Sequence, residues 1–398
     1  VYVKGGEYRA ATDDVTGNIS REQQAVEAGG GTIFYTDELT FSSSSLLNEH
    51  FGVFSPETRE YLGAFRQKYG FKEVVQMVKG LAPLKVLVLG DAIIDQYHYI
   101  KALGQVGKGI ALAVKYESEE QFAGGAMAVA NHVAAFADDV TLVTALGTLE
   151  THESFIRDKL LPNVKSTFFY VDGAQTVTKR RFVDADLNKL FEVYFAGEEP
   201  LPEAVDDAVC AWLEQHLGEF DIVIVPDFGN GFVSQRMVEI LCRKARFLAV
   251  NAQLNSGNRG HHVISRYPRV DFASINEPEL RLAAHNRRDP LERVAEMIGA
   301  RIKADSIAIT CGSKGVLFKD RTCGTVYLVP ALSTRVVDRI GAGDAFLALA
   351  GLSVGGGLPS EIAAFVGSVA AALDVQIVGN REAIKSVDLF KYISTLLK

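Results

Sequence analysis

The feature that most constrains this chain is a series of short apolar runs separated by amphipathic stretches. The first run is KVLVLGD at residues 85–91, and others follow at 140–146, 221–225, 247–250, 272–275 and 306–310. Continuous apolar runs of this length are typical of strands buried on both faces of a parallel sheet. Because helical patterns lie between most of them, we predict a doubly wound, mostly parallel α/β sheet whose ligands bind beyond the carboxyl ends of the strands.

A second pattern predicts a small β flap. Residues 110–116 and 176–194 alternate between apolar and polar side chains and show no helical spacing. Alternation of this kind is typical of half-buried strands. We therefore predict a flap from about 96–123 and 174–196, inside a domain that spans 84–398 and follows a helical connector at 51–83.

Composition excludes several classes of partner. The chain has 41 basic against 49 acidic residues, a net charge of −8, and the basic residues are too scattered to follow a nucleic-acid backbone. The four cysteines show no CxxC spacing, which argues against zinc and favours a reducing cytosol. No run approaches the about eighteen apolar residues of a membrane helix. We predict a cytoplasmic protein with no nucleic-acid and no membrane partner.

The segment VVDRIGAGDAF, residues 336–346, is the strongest candidate for catalytic chemistry. Gly341, Ala342 and Gly343 directly precede a helix-forming run, so their backbone N–H groups are unobstructed and unpaired. The helix dipole adds partial positive charge, and such a turn can hold a phosphate. Asp344 in the first helical turn is placed to take a proton from a hydroxyl that attacks phosphorus. The alternative is a tight turn in which Asp344 only favours the helix N-terminus.

Companion motifs accompany GAGDAF along the chain. In order, they are Gly90-Asp91 with Asp95, Gly124-Gly125, Asp227-Phe228-Gly229, Asn276 with Glu279, and Thr310, Gly312 and Gly315. This ordered set, over about residues 84–398, resembles the ribokinase-like (PfkB-type) sugar kinases. Within that family the nearest resemblance is to the heptose-phosphate kinases of bacterial ADP-heptose synthesis. The resemblance implies a ribokinase-like fold, ATP as phosphate donor, Mg²⁺ as cofactor, and a sugar or sugar phosphate as acceptor.

Four positions are predicted to bind the sugar. Asp95 follows the first strand, so its carboxylate lies at the carboxyl edge of the sheet and can accept hydrogen bonds from two hydroxyls. Gly124 and Gly125 open a helix where bare backbone can approach the sugar. Family members commonly place an asparagine at what is Ala128 here, and Asn131, one turn further along, is a substitute for it. A turn-capping role for Asp95 is the alternative.

The flap carries a candidate phosphate clamp. Lys179 and Arg181 alternate along one strand, so one face has two positive charges that could hold a phosphate already on the sugar. Lys108 and Arg180 are competing candidates, and a charged edge that deters aggregation is the alternative. The resemblance further implies a flap that covers the sugar and pairs between subunits, so we expect a homodimer.

Two residues are candidates for the metal. Asn276 and Glu279 are three apart in NEPE, which places both side chains on one face of a starting helix. The resemblance implies that they hold a hydrated Mg²⁺ against the nucleotide phosphates. A plain capping arrangement is the alternative.

The nucleotide is expected at the loop after residues 306–310. Thr310, Gly312 and Gly315 lie where family members receive the phosphates and ribose of ATP, and Asn380 matches the adenine-facing wall in position. The chain also departs from the family, because it has Asn230 where near relatives carry a lysine. Residues 251–253 read Asn-Ala-Gln where relatives often have Asp-Pro-Lys.

Together these motifs predict an ATP-dependent sugar kinase, a phosphotransferase with an alcohol group as acceptor. The best substrate candidate is a heptose 7-phosphate, phosphorylated at the anomeric hydroxyl. Two alternatives are a kinase for another sugar or nucleoside, and a non-catalytic regulator that binds sugar or nucleotide on the same fold.

Residues 1–50 carry a second resemblance. VKGGEY at 3–8, the glycines at 29–31 before a strand at 32–35, and the serine run at 42–45 resemble the end of a cytidylyltransferase-type nucleotidyltransferase domain. The HxGH motif of that family is not in this segment. We expect either that more of such a domain precedes residue 1 or that the segment is a remnant used for docking.

Overall fold

The computed structural model describes residues 2–5, 19–36, 54–197, 200–254, 258 and 262–398. The chain divides into two compact units, residues 1–80 with 385–398, and residues 81–384. The helices are α1 (Ile19–Ala28), α2 (Pro56–Lys68), α3 (Phe71–Lys79), α4 (Ala126–Ala134), α5 (Glu153–Lys159), α6 (Glu203–His216), α7 (Gln235–Lys244), α8 (Glu277–Ala283), α9 (Leu291–Arg301), α10 (Ala342–Gly355), α11 (Ser360–Asp374) and α12 (Ser386–Leu397). The strands are β1 (Tyr2–Gly5), β2 (Ile33–Thr36), β3 (Lys85–Leu89), β4 (Ala92–Gln105), β5 (Leu112–Gly125), β6 (Asp139–Leu149), β7 (Val164–Gln175), β8 (Thr178–Val183), β9 (Lys189–Phe195), β10 (Ile222–Asp227), β11 (Leu248–Ala252), β12 (Phe272–Asn276), β13 (Ser306–Thr310), β14 (Val316–Asp320) and β15 (Thr325–Val329).

The described residues of the smaller unit form the strand pair β1–β2 and the helices α1, α2, α3 and α12. β1 and β2 pair in parallel, and α1 lies between them in sequence. α12 packs against α2 and α3, and the guanidinium of Arg66 donates to the carbonyl of Leu396 (Nη2–O 2.7 Å). The second half of VKGGEY, residues 6–8, and the serine run at 42–45 lie outside the described residues, so the nucleotidyltransferase resemblance stays a prediction.

The C-terminal helix differs from the predicted domain boundary. We placed residues 84–398 in one domain, whereas residues 385–398 cluster with the helices of the connector. The cause is an apolar face on α12, which includes Leu389 and Ile393 and is buried where α12 packs on α3. Amphipathic spacing shows that a helix has such a face but not which neighbour covers it.

The larger unit is built on a nine-stranded sheet in the order β15-β14-β13-β12-β11-β10-β3-β6-β7. Within this sheet the strands pair in parallel from β13 through β12, β11, β10, β3 and β6 to β7. The two strands at the opposite edge, β14 and β15, pair in antiparallel fashion. One face packs on α6 to α9 through residues such as Val223 and Val225, while Ile224 faces α10 at Gly351. The doubly wound, mostly parallel sheet predicted from the apolar runs is confirmed.

The strand order reverses at β3, which has β6 on one side and β10 on the other. In sheets of this kind a ligand crevice opens at the reversal, outside the carboxyl ends of the strands. β3 leads directly into Gly90 and Asp91, and β10 ends at Asp227. The companion motifs of the sequence therefore lie at the edge where a ligand is expected.

The flap is a separate four-stranded sheet in the order β5-β4-β8-β9. β4 pairs with β8 in parallel, and the outer pairs are antiparallel. The predicted β flap is thus present, although β4 starts at Ala92 and β5 runs to Gly125. Since β4 begins almost where β3 ends, the flap emerges directly from the crevice and carries Asp95 at its base.

Candidate active site

The GAGD turn forms the N-terminus of α10. Gly341 has a φ of 100°, a left-handed conformation that favours glycine. The first helical hydrogen bond runs from Ala345 N to Gly341 O (2.9 Å), so the N–H groups of Ala342, Gly343 and Asp344 have no partner within the helix. Apart from the helix's own backbone, no atom of the described residues lies within 4 Å of the position that a Cβ on Gly343 would take. The turn therefore offers unpaired donors and open space to an anion.

Asp344 is half-buried beside these donors. Its pKa is raised to about 7, mainly by burial and next by the negative charge of Asp95, while the positive charge of Lys179 opposes the rise. A general base works best when its pKa is close to the operating pH. Asp344 is thus suited to accept a proton from a substrate hydroxyl.

Asp95 is buried at the base of the flap, where three partners converge on its carboxylate. Arg181 Nη1 pairs with Oδ1, and Asn380 Nδ2 donates to Oδ2 (3.4 Å). Gly124 lies so close that a Cβ there would collide with Oδ2. The structure therefore brings together Asp95, Gly124 and Arg181, which the sequence analysis placed in one sugar site.

Lys179 is a cation of this cluster that is not paired with a carboxylate among the described residues. Its side chain is buried, and its ammonium lies over the rings of Tyr194 (5.5 Å) and Phe228 (5.8 Å). It forms no hydrogen bond or ion pair with any residue that the structure describes. Burial lowers the pKa of Lys179, and the negative charge of Asp95 opposes this shift.

The other three basic candidates for the clamp are placed differently. Arg181 is already neutralised by Asp95 and by Glu192 (Nε–Oε1 3.5 Å), so its predicted role as a phosphate clamp is corrected to one of fixing Asp95. Arg180 points to the other strand face and donates to Gln96 (2.8 Å). Lys108 is exposed between β4 and β5.

Asn131 does not reach the sugar site. Its Nδ2 donates to the carbonyl of Lys159 and its Oδ1 accepts from Leu161 N, both at 2.9 Å. These two hydrogen bonds direct the amide to the segment between α5 and β7, which it holds in place. The prediction that Asn131 binds substrate is wrong for this physical reason.

Asn276 and Glu279 form the capping box that was the alternative to a metal site. Asn276 Oδ1 accepts from Glu279 N (2.9 Å), Glu279 Oε2 accepts from Asn276 N (3.2 Å), and Glu279 Oε1 accepts from Leu254 N (3.0 Å). Across the described part of the chain, no group of three or more His, Cys, Asp or Glu residues could hold a metal ion.

The same donor set still fits a hydrated Mg²⁺. This ion keeps several waters and takes one or two protein carboxylates together with substrate phosphates. Each oxygen of Glu279 accepts a single N–H and so retains a lone pair for a water. The Mg²⁺ role of Asn276 and Glu279 remains a prediction, with contact through water.

The residues predicted to bind the nucleotide do not all lie together: three lie at the end of β13 or just after it, and the fourth lies beside Asp95. Thr310 ends β13, and Gly312 in the turn that follows has open space around it. Gly315 has a φ of 87°, and a Cβ there would collide with Val329 O, so the β14–β15 hairpin itself requires glycine. Asn380 was predicted on the adenine wall, but it lies against Asp95 and Gly124 on the sugar side.

Sequence reasoning missed two acidic residues near the turn. Asp338 accepts from Tyr97 OH (2.8 Å) and Gly379 N (2.9 Å), which ties the lead-in of the turn to the flap and to the loop after α11. Asp374 ends α11 and is fully buried. An aspartate at the end of the alanine-rich run AAALD was the signal that could have identified it.

Comparison with known proteins identifies the family. The sequence profile of the pfkB family of carbohydrate kinases matches residues 83–386. This chain is a pfkB-family carbohydrate kinase. The predicted resemblance is therefore confirmed, as is the enzyme class of phosphotransferases that act on an alcohol group.

Curated relatives cover the same region. The bifunctional protein HldE of Trichlorobacter lovleyi is 25% identical over 312 residues, which is 77% of this chain and 62% of that protein. HldE of Koribacter versatilis is 27% identical over 303 residues, 74% of this chain and 60% of that protein. The chain thus spans less than two thirds of the length of these relatives.

Solved structures agree on the fold. Ribokinase of Arabidopsis thaliana, in complex with ribose and ATP, superposes with a TM-score of 0.59 at 20% identity, covering 79% of this chain and 99% of that chain. The tetrameric inhibited form of phosphofructokinase-2 from Escherichia coli gives a TM-score of 0.60 at 16% identity, covering 78% and 99%. Among the described residues of this pfkB-family chain, no helix is long and apolar enough to span a membrane.

Proposed function

We propose that this chain transfers the γ-phosphate of ATP to a sugar hydroxyl, with Asp344 as general base. The observation that supports it best is the position of Asp344. Its carboxyl, with a pKa of about 7, stands between the unpaired N–H groups of the turn and the buried Asp95. Acid–base chemistry and anion stabilisation are therefore available within one crevice.

The proposed reaction is an in-line displacement. Asp95, with Gly124 and Gly125 beside it, positions the acceptor hydroxyl, whose proton passes to Asp344 as its oxygen bonds to the γ-phosphorus. The bond from that phosphorus to the β–γ bridging oxygen breaks, and ADP leaves with the electron pair. The N–H groups of Ala342 and Gly343 stabilise the negative charge that develops. Mg²⁺, held through water by Asn276 and Glu279, would supply positive charge at the phosphates.

Asp344→Asn tests this assignment. We expect kcat to fall by about 10²–10⁴, the usual contribution of a general base, while ATP affinity measured by calorimetry stays nearly unchanged. Wild-type kcat/KM should decline below pH 7 as Asp344 takes up its proton. Asp388→Asn is a matched control, because Asp388 is also in the first turn of a helix and is exposed. Near-normal turnover of Asp344→Asn would refute the role of base.

The acceptor we propose is a sugar phosphate, with heptose 7-phosphate as the first candidate. Two observations support this: the HldE relatives, and the free ammonium of Lys179 beside the sugar site. An ammonium on a strand of the flap is suited to bind a phosphate that the sugar already carries. The bifunctional activity of the relatives is not transferred, since the chain matches less than two thirds of their length.

A substrate panel read by ADP release distinguishes the candidates. We expect turnover of heptose 7-phosphate to exceed that of unphosphorylated sugars and nucleosides. Lys179→Met should raise KM for the phosphorylated acceptor by about tenfold or more, as expected for a charged hydrogen bond, and leave KM for ATP unchanged. Preference for an unphosphorylated acceptor would contradict the sugar phosphate. Nucleotide binding without any transfer would favour the non-catalytic regulator.

We further propose a homodimer formed through the flap. The flap strands and their connections expose large apolar side chains, which is unusual on a monomer. Those with at least 37% exposure are Leu103, Val106, Ile110, Leu112, Tyr116, Leu190, Phe191, Val193 and Tyr194. A second copy would cover the same surface on both chains.

A further inference from the structure

Four buried polar atoms lie close to Gly341 without a hydrogen-bond partner among the described residues. They are His132 Nε2, both carboxyl oxygens of Asp374, and Asn380 Oδ1. His132 and Asp374 are each 1% exposed, so solvent does not supply the missing partners. Because buried polar groups are nearly always paired, one hydrogen has to be located in this cluster.

The hydrogen on His132 follows from its neighbour. Ile384 N donates to Nδ1 (3.2 Å), so the neutral ring carries its proton on Nε2. Burial lowers the pKa of His132 to about 4, which keeps the ring neutral. Nε2 lies 3.6 Å from Asp374 Oδ1, just beyond hydrogen-bond distance, so a small shift would let this N–H donate to the carboxyl group.

The other Asp374 oxygen faces Asn380 across Gly341. Asp374 Oδ2 and Asn380 Oδ1 lie 2.8 and 2.7 Å from the position that a Cβ on Gly341 would take. The two oxygens therefore border the same small space beside Gly341. Two acceptors cannot pair with each other, so a direct hydrogen bond between them needs a proton on one of them.

Asp374 is the group that can carry this proton. It is the last residue of α11, where the helix dipole opposes negative charge. The charged groups near it are Asp344 on α10 and Asp338 in the preceding loop, both acidic, while His132 on α4 is neutral. Burial first, and then these two carboxylates, raise the pKa of Asp374 well above its ordinary value.

We propose that Asp374 is protonated in the native enzyme and is a positioning residue for the sugar-binding carboxylate of Asp95. His132 Nε2–H donates to Asp374 Oδ1, Asp374 Oδ2–H donates to Asn380 Oδ1, and Asn380 Nδ2–H donates to Asp95 Oδ2. One proton thereby gives every orphaned atom of the cluster a partner. It also fixes which end of the Asn380 amide faces Asp95, and it keeps negative charge away from the anion turn. The functional part of this inference rests on the proposed role of Asp95.

Infrared difference spectroscopy of the free protein tests the proton directly. At about pH 9, roughly two units above the pKa of Asp344, that carboxyl is ionised and does not contribute to the signal of a protonated carboxyl. We expect the wild-type protein to show the C=O stretch of a protonated, buried carboxyl that Asp374→Asn lacks. Identical spectra would overturn the proposal. This result does not depend on which substrate the enzyme uses or on whether it is active.

Kinetics test the positioning role. Asp374→Asn retains an N–H donor and a carbonyl acceptor, so kcat and sugar KM should stay within about twofold of wild type. Asp374→Leu and Asn380→Ala should each raise sugar KM by about tenfold, the cost of one hydrogen bond, with ATP KM unchanged. The double variant should lose little more than either single variant, since both break one chain of contacts.

Two outcomes would overturn the positioning role. Additive losses in the double variant would show that the residues act independently. Inactivity of Asp374→Asn, together with stabilisation of only the wild type by a monovalent cation, would show an ionised carboxylate that holds a cation. If no sugar is turned over, the proposed kinase function fails, and the infrared result still decides the proton.

Discussion

At the scale of single residues, the candidate site is a group of carboxyls around the ammonium of Lys179, which forms no ion pair with any described residue. Asp91, Asp95 and Asp344 all influence Lys179, and burial weakens the solvation of each. Burial and then Asp227 raise the pKa of Asp91 to about 6, although Phe228, Asn230 and Phe232 donate their N–H groups to it. Carboxyl groups whose pKa is raised by burial and by neighbouring negative charge are typical of binding and catalytic sites.

We predict that Asp344 lowers the stability of the protein at neutral and alkaline pH. Its pKa is raised from 3.8 to about 7, so between these values the folded protein keeps a proton that the unfolded chain has released. Stability present below pH 3.8 is therefore lost as the pH rises to about 7. Asp344→Asn removes this loss and should raise the unfolding free energy by about 1–3 kcal/mol at pH 8.

Denaturant unfolding at pH 8 and pH 4 measures this effect. The gain should be small at pH 4, where the folded carboxyl is protonated and the unfolded one is only about half ionised, and Asp388→Asn should show no gain at either pH. A variant with equal stability to wild type at pH 8 would contradict the raised pKa. An increase of stability on removal of a catalytic group is the usual sign of a strained active site.

At the scale of elements, helix termini and strand continuations position the site. α10 starts on the open turn of Gly341, α8 starts on the capping box of Asn276 and Glu279, and β4 carries Asp95 from the sheet into the flap. The residues at these positions also stabilise the element to which they belong. An experiment on function must therefore distinguish a capping role of a residue from a role in binding a ligand.

Glu279→Gln makes this separation at α8. Glutamine keeps one side-chain oxygen for the capping box but leaves one of the two N–H groups, that of Asn276 or of Leu254, without its acceptor, so we expect a stability loss of about 1 kcal/mol. The loss of negative charge should raise the Mg²⁺ concentration for half-maximal activity by about tenfold, if the carboxylate holds the ion through water. Glu279→Ala, which removes both features, should lose more stability than Glu279→Gln. An unchanged Mg²⁺ dependence of Glu279→Gln would reduce this residue to a cap.

At the scale of the whole molecule, the exposed apolar side chains of the flap are the surface that we propose a second copy covers. They belong to β4, β5 and β9 and the connection between β4 and β5, whereas the neighbouring strand β8 turns Lys179 and Arg181 inward. Dimerisation through this sheet would cover apolar area and stiffen the element that carries Asp95.

The double variant Leu112→Glu, Phe191→Glu tests that arrangement. Charges on the apolar surface should convert the dimer to a monomer, as measured by light scattering, and raise sugar KM through a less ordered flap. Leu328→Glu is the control, because Leu328 is 67% exposed on β15, outside the flap. A monomeric wild type, or a double variant that stays dimeric, would contradict dimerisation through the flap.

The local patterns of the chain were sufficient for the framework. Apolar runs identified β3, β6 and β10 to β13, alternation identified the flap, and glycines before a helix identified the turn at Gly341, whereas β7 was not predicted. These features follow from backbone geometry and side-chain periodicity, which act over a few neighbouring residues. The order of motifs added the family, which the profile match to residues 83–386 confirmed.

Only the tertiary structure decided how distant side chains pair. Asn131 holds a neighbouring segment, Arg181 is used by Asp95, and Asn380 lies on the sugar side. α12 packs on the connector helices, and Asp374 is buried beside His132. None of these contacts has a local signature, because hydrogen-bond partners, burial and the resulting pKa shifts depend on groups that folding brings together from far along the chain.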